Sequence, residues 1–178
     1  MDNPASQIKT IQNIIIDTNI LQYVGEKTTS TTIVPYLSDL LSRGFGLAIS
    51  DISIYELLKG ANANKEQEMR NILNLFQRYY LTENVLIASA QLETLYRADK
   101  IFPKQIGDGD ILIGATAILT GSLIITANFR DYPLPFFKEV ERFSLSYTYG
   151  GNHSKNLMIG LLSPDLGFIN QKFSERPR

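Results

Sequence analysis

The chain has no cysteine, which removes disulfides, thiolate metal sites and cysteine nucleophiles from consideration. Histidine is nearly as scarce. The single His153 sits in a glycine-rich stretch near the C-terminus, so neither a histidine-based zinc centre nor a Ser-His-Asp triad is expected. No apolar run approaches the ~20 residues that a membrane-crossing helix requires. The opening Met1-Asp2-Asn3-Pro4 lacks the basic region and apolar core of a secretory signal. Internal repeats and low-complexity tracts are absent. A positive excess is missing as well: the net charge of −1 excludes a strongly basic nucleic-acid-coating protein, while leaving room for an enzyme that holds nucleic acid locally around metal ions. These absences predict a cytoplasmic protein with no membrane association, in which catalysis falls to carboxylates.

What is present suits one globular domain. With 178 residues, 44% hydrophobic and 20% charged, the chain can bury a full core between a sheet and its helices and is too short to make a second domain the natural reading. The alternation of strand-like and helix-like segments points to an α/β fold. Ile14-Ile15-Ile16 reads as a short strand buried on both faces, as in a parallel sheet covered by helices. Asn19–Gly25 and Ile33–Arg43 follow as helices, then a strand at Phe45–Ile49 and a helix at Ser50–Gly60. Met69, Ile72, Leu73, Phe76 and Tyr80 recur on one face and predict an amphipathic helix over 64–81. A third strand is expected at Asn84–Ile87, a helix at Ala88–Ile101, a further helix from Asp110 to Leu119 ended by Gly121, and strands at Leu123–Thr126 and Phe143–Tyr147. In the helix after Asp110, Gly114, Ala115 and Ala117 lack bulk and predict close approach to the sheet. Residues 1–150 thus form the expected domain, and 151–178 an extension whose structure the pattern leaves open, apart from a hairpin or arm around Leu157–Phe168.

Asp17 stands at the carboxyl end of the first strand, where open α/β sheets place their ligand crevice. Glu56, Asp108 and Asp110, and Asn128 and Asp131 lie at other strand ends or helix starts that can reach the same crevice. Clustered carboxylates repel one another unless a cation lies among them, and oxygen-only donors select Mg²⁺ or Mn²⁺. Such an ion orients and polarises a phosphodiester and activates an attacking water. Each acid alone has a plainer reading as a helix cap: Asp17 or Asn19 before one helix, Asp108 or Asp110 before another, and Ser53 with Glu56 as a capping box. Ser50 and Asp51 offer an earlier cap, however, which leaves Glu56 in the second turn. Capping also explains the acids one at a time and not their convergence.

The segments Ile14-Ile-Ile-Asp-Thr-Asn-Ile-Leu21, Ser50-Asp-Ile-Ser-Ile-Tyr-Glu-Leu-Leu-Lys-Gly60, Asp110-Ile-Leu-Ile-Gly-Ala-Thr-Ala117 and Ile125-Thr-Ala-Asn-Phe-Arg-Asp-Tyr132 resemble, in order and spacing, the four motifs of a PIN-domain nuclease of the VapC toxin type. The resemblance covers residues 12–147. It implies a three-layer α/β/α fold with a central parallel sheet ordered 3-2-1-4-5. It further implies a Mg²⁺- or Mn²⁺-dependent endoribonuclease with an RNA substrate, often a homodimer held in check by a small antitoxin protein. Carried over by position, Asp17, Glu56 and Asp110 are the first three acids. The strand-end motif has Asn128, so Asp131 supplies the fourth acid or none does, with Asp108 and Asn128 as secondary members of the metal shell. Lys59, Lys104 and Arg130 lie near these motifs and are candidates to meet the RNA backbone, each with the plain alternative of a solvated surface charge. The rival expectation is a catalytically inactive PIN fold that serves as an RNA- or protein-binding module.

Overall fold

The computed structural model describes residues 12–99, 106–149 and 153–175. Six strands make one sheet in the order β3-β2-β1-β4-β6-β5. The central strand β1 (Asn13–Ile16) pairs in parallel with β2 (Gly46–Ser50) on one side and β4 (Leu123–Thr126) on the other. On the far side of β2 lies β3 (Gln77–Tyr79), also parallel. Beyond β4 the direction reverses: β6 (His153–Pro164) runs antiparallel to β4, and β5 (Phe137–Tyr149) antiparallel to β6 at the sheet edge.

The isoleucine run explains why β1 is central. Its period of two sends Ile14 and Ile16 into one core and Ile15 into the other, and all three are fully buried. The first core is closed by α1 (Thr18–Gly25), α2 (Lys27–Ser42) and the end of α4 (Ala63–Leu73), through Ile20, Leu21, Ile33, Leu37, Leu40 and Leu73. The second is closed by α5 (Glu83–Ala98), α6 (Asp108–Thr120) and α7 (Leu166–Ser174), through Leu92, Leu95, Tyr96, Ile111, Ile113 and Ile169. Between β2 and α4 the short α3 (Asp51–Leu58) contributes Ile54 and Leu57 to the first core and Ile52 to the second. The α/β class with helices on both faces is therefore as expected.

Three details depart from the sequence reading. The sheet is mixed rather than wholly parallel, and β6 separates β4 from the edge strand, so the order 3-2-1-4-5 does not hold. The cause is a long hairpin: β5 and β6 pair from Phe137 with Pro164 to Tyr149 with His153, while only Gly160–Leu162 of β6 reach β4. The exposed outer residues His153, Ser154, Lys155 and Asn156 dilute the apolar signal of this segment. Second, the expected helix over 64–81 stops at Leu73, and β3 follows. That strand is held by distant partners: the Asn13 amide donates to the Tyr79 hydroxyl at 2.7 Å, and Asp51 accepts from the Arg78 guanidinium and from the Leu81 N–H at 3.1 Å. Third, the strand expected at Asn84–Ile87 is the first turn of α5, capped by Thr82, whose hydroxyl accepts from Val85 N–H. Val85 is buried but Leu86 and Ile87 are exposed, a helical and not a strand-like alternation.

Helix α6 does approach its neighbours closely. A Cβ on Gly114 would lie 3.2 Å from Phe137 and 3.5 Å from Leu92, so the small residue admits β5 and α5. A tighter contact binds β6 to the turn after β4. A Cβ on Gly160 would come within 2.2 Å of the Phe129 ring, which therefore lies on the bare backbone of β6. The Arg142 guanidinium of β5 stands 4.6 Å from the same ring centroid. Gly160→Val should displace Phe129 and destabilise the fold by about 1–3 kcal/mol, the scale of an overpacked core. Thermal melts check this: the variant melts several degrees lower, and Phe129→Leu in the same chain recovers part of the loss.

Candidate active site

The carboxylate of Asp17 lies just past the end of β1 and is 1% exposed. The residue stands at the N-cap position of α1, yet its side chain makes no capping bond. Its Oδ2 instead accepts from the Thr126 hydroxyl and from the Asn19 amide, each at 2.6 Å. Asn19 also takes the Ala127 N–H at 3.0 Å on its Oδ1. Both side chains that the sequence offered as caps thus lace the first turn of α1 to the end of β4.

Glu56 falls in the second turn of α3. Its Oε2 accepts from the Thr18 hydroxyl. Its other oxygen leans on the first turn of α6, where a Cβ on Gly109 would lie 2.2 Å from Oε1, so only a glycine leaves the carboxylate this position. Ser53 is inside α3 and not at its start, so no capping box forms. Ser50 does take the N-cap position, but its hydroxyl and that of Ser53 are buried without a hydrogen-bond partner among the described residues. The N-cap of α6 is Gly107, which has no side chain to offer, so neither Asp108 nor Asp110 fills that role. Asp110, three residues on, receives the Gly107 N–H. After β4, a single 3₁₀ turn at Phe129–Asp131 carries the last acid. The Asn128 amide donates to the Asp131 carboxylate, while the Asn128 N–H donates to the Thr126 hydroxyl at 2.9 Å.

Asp17, Glu56, Asp110 and Asp131 line one open cleft of about 380 Å³, together with Thr18, Asn19, Gln22, Tyr55, Lys59 and Asn128. Of the remaining candidates, Asp108 is exposed and does not line the cleft. Arg130 is exposed and borders a different groove with Phe129 and Leu134. Lys104 lies outside the described residues. Thr18, Asn19 and Gly109 act on the acids in ways that sequence reading did not assign; the only signal was that each adjoins or nearly adjoins an acid already singled out.

The acids feel one another. Burial pushes the Asp17 carboxyl up to about 6, against the pull of the Thr126 and Asn19 hydrogen bonds, with the charge of Glu56 adding to the rise. Burial and then the charges of Asp17, Asp131 and Glu56 push Asp110 up to about 7. Asp131 is raised by burial, with the Arg130 charge opposing. All of these donors are hard oxygen atoms, the set that suits Mg²⁺ or Mn²⁺. Among the described residues no three of the acids converge tightly enough to enclose one ion by themselves.

The PIN domain family model matches residues 14–134, from β1 through all four acid-bearing segments. The chain belongs to the PIN-domain family. Within it, the chain is 28% identical over 98 residues to Ribonuclease VapC19 of Mycobacterium tuberculosis, a match covering 55% of this chain and 76% of that protein. It is 31% identical over 88 residues to Ribonuclease VapC1 of Methanocaldococcus jannaschii, covering 49% and 62%. Among solved structures, VapBC2 from Rickettsia felis, bound to a DNA fragment from its promoter, superposes with a TM-score of 0.57 at 22% identity, over 70% of this chain and 94% of that one. A toxin-antitoxin complex from Klebsiella pneumoniae gives 0.51 at 26% identity, over 68% and 92%. No helix among the described residues of this PIN protein is long and apolar enough to cross a membrane.

The raised carboxyls fix a sign for pH dependence. Asp17 and Asp110 bind protons more tightly folded than at their ordinary value of 3.8, so ionising them weakens the fold. In metal-free buffer, the contribution of these two groups to stability is therefore fullest near or below about pH 4 and falls as the pH rises through about 6 to 7. Carboxylates elsewhere contribute their own slopes, so the comparison is with a variant. Asp110→Asn should flatten the fall in melting temperature between about pH 5 and pH 8, and a slope equal to that of the wild type would contradict the crowding of these acids.

Proposed function

We propose that this chain is a Mg²⁺- or Mn²⁺-dependent endoribonuclease, the toxin of a toxin-antitoxin pair. The observation that carries the reading is the cleft in which Asp17, Glu56, Asp110 and Asp131 come together with two carboxyls pushed up to about 6 and about 7. Family membership, the ribonuclease relatives and the VapBC neighbours support it.

Mg²⁺ binds through one or two carboxylates and keeps several waters, so a site without three converging acids is compatible with it. Asp17 and Asp110 are the direct ligands in this reading, and Glu56 and Asp131 hold the shell from further out. When bound, the ion polarises the phosphodiester and activates water as the nucleophile. The chain's own part is placement. Thr126 and Asn19 both donate to Oδ2 of Asp17, and the Thr18 N–H adds a third hydrogen bond to the same carboxylate, so its place on the cleft wall is fixed. Thr18 and the bare Gly109 orient Glu56, and Asn128 directs Asp131 inward. This arrangement favours Asp131 as the fourth acid and Asn128 as its positioning residue. Asp108 is assigned no direct part. Residues 1–150 carry the acids, and the segment from 153 onward supports them through β6. The partner is an antitoxin protein, as in the VapBC and toxin-antitoxin assemblies of the structural neighbours.

Purified protein should cleave RNA with Mg²⁺ or Mn²⁺ and not in excess EDTA. Asp17→Asn should lose on the order of a hundredfold or more, the scale of removing one preorganised charge from a reacting centre. Undiminished cleavage in EDTA, or by the folded Asp17→Asn variant, would sink the assignment. Gly109→Ala tests the placement of Glu56 separately. Alanine is the better helix former by up to about 1 kcal/mol, so the melting temperature should hold or rise while cleavage falls.

A further inference from the structure

Resting on the ribonuclease reading above, we propose that Tyr55 and Lys59 form a nucleotide subsite on the rim of the acidic cleft, with Tyr55 stacking an unpaired base and Lys59 holding the adjoining phosphate. Helix α3 is short, and its Ile52, Ile54 and Leu57 pack on a core. Tyr55 does not. It is 60% exposed, directly precedes Glu56 and lines the same cleft as the acids. An aromatic ring left in water beside four carboxylates contributes nothing to the core and offers a face to a ligand.

Lys59 is one helical turn on, with its Nζ 5.7 Å from the Tyr55 ring centroid. It is the sole cation among the described residues that line the cleft, and it pairs with no carboxylate among them. A polyanion entering this acidic cleft meets repulsion except at a bound cation and at Lys59. Beyond Lys59 the cleft continues into a second hollow of about 260 Å³, which shares Gln22, Glu56 and Lys59 and carries Lys65 on its wall. A strand whose scissile phosphate lies by the acids would therefore run along α3 past Lys59 towards Lys65. Bases within an A-form duplex are stacked on one another and present no free face, whereas a single strand can splay one onto an aromatic ring.

The test is a cycle between the ring and the base. Binding of two fluorescent 12-nucleotide chains is measured by anisotropy in Ca²⁺: oligoadenylate, and an abasic ribose-phosphate chain with the same number of phosphates. Gels run after each titration verify that the chains are intact, and melts verify that the variants are folded. Tyr55→Ala should bind oligoadenylate about tenfold more weakly than the wild type, the scale of one base stacked on one ring. Tyr55→Phe should match the wild type, and the abasic chain should not distinguish the three. Lys59→Ala should weaken both chains and lower the log-log salt slope by about 0.7, the value for one phosphate contact on a single strand. An oligoadenylate affinity unchanged by Tyr55→Ala, or an equal loss on the abasic chain, overturns the subsite and leaves Tyr55 to a protein-facing role. A duplex bound as tightly as the single strand overturns it as well. Wild type that binds neither chain and cleaves no RNA with Mn²⁺ instead strikes the ribonuclease reading itself, and so the two failures are told apart.

Discussion

A carboxylate sealed at the end of the central strand is the constraint on which the rest of this molecule depends. Ionised, a side chain as buried as Asp17 would be costly without compensation. The fold supplies part of it with the Thr126 hydroxyl and the Asn19 amide, and those two groups come from the strand beside β1 and the helix after it. Satisfying one charge thus determines how β1, β4 and the first turn of α1 meet. The compensation is incomplete: the Thr18 N–H joins these donors, yet burial outweighs all three and the carboxyl remains pushed up to about 6. What is left over is an unmet demand for positive charge facing the cleft, and Glu56, Asp110 and Asp131 add to it.

Around that point the structure uses missing side chains as positively as present ones. At Gly109 the absence of a Cβ gives the Glu56 carboxylate its place against α6, and at Gly160 the same absence lets the Phe129 ring lie on β6. In the first case a loop-helix junction shapes the acid side of the cleft. In the second the hairpin of β5 and β6 supports the turn that carries Asp131. Neither glycine is at a positive φ, so each is explained by close approach and not by backbone freedom.

These contacts also mark how far the sequence could be read. Asp17, Glu56, Asp110 and Asp131 were expected to face one crevice because each falls at a strand end or near a helix start, which are local signals, and they do line one cleft. The buried isoleucine strand and the C-terminal αL glycine of α6, Gly121 at φ +63°, were legible for the same reason. What was hidden depended on partners far along the chain. Gln77–Tyr79 continued a helical apolar pattern and became a strand through Asn13 and Asp51. Asn19 looked like a cap and instead holds Asp17, and Thr18 beside it holds Glu56. The strand at His153–Pro164 has a polar outer half, and its place between β4 and β5 follows from hairpin pairing that no periodicity within it announces.

That last strand has a consequence for the order in which the molecule acquires its site. Because β6 inserts between two strands that precede it, Phe129 leaves the ribosome well before the glycine on which its ring comes to rest. A nascent chain that has emitted every acid still lacks the floor beneath the turn bearing Asp131. The cleft is therefore completed only once β6 has been made and paired with β4, and not when its acidic residues first appear.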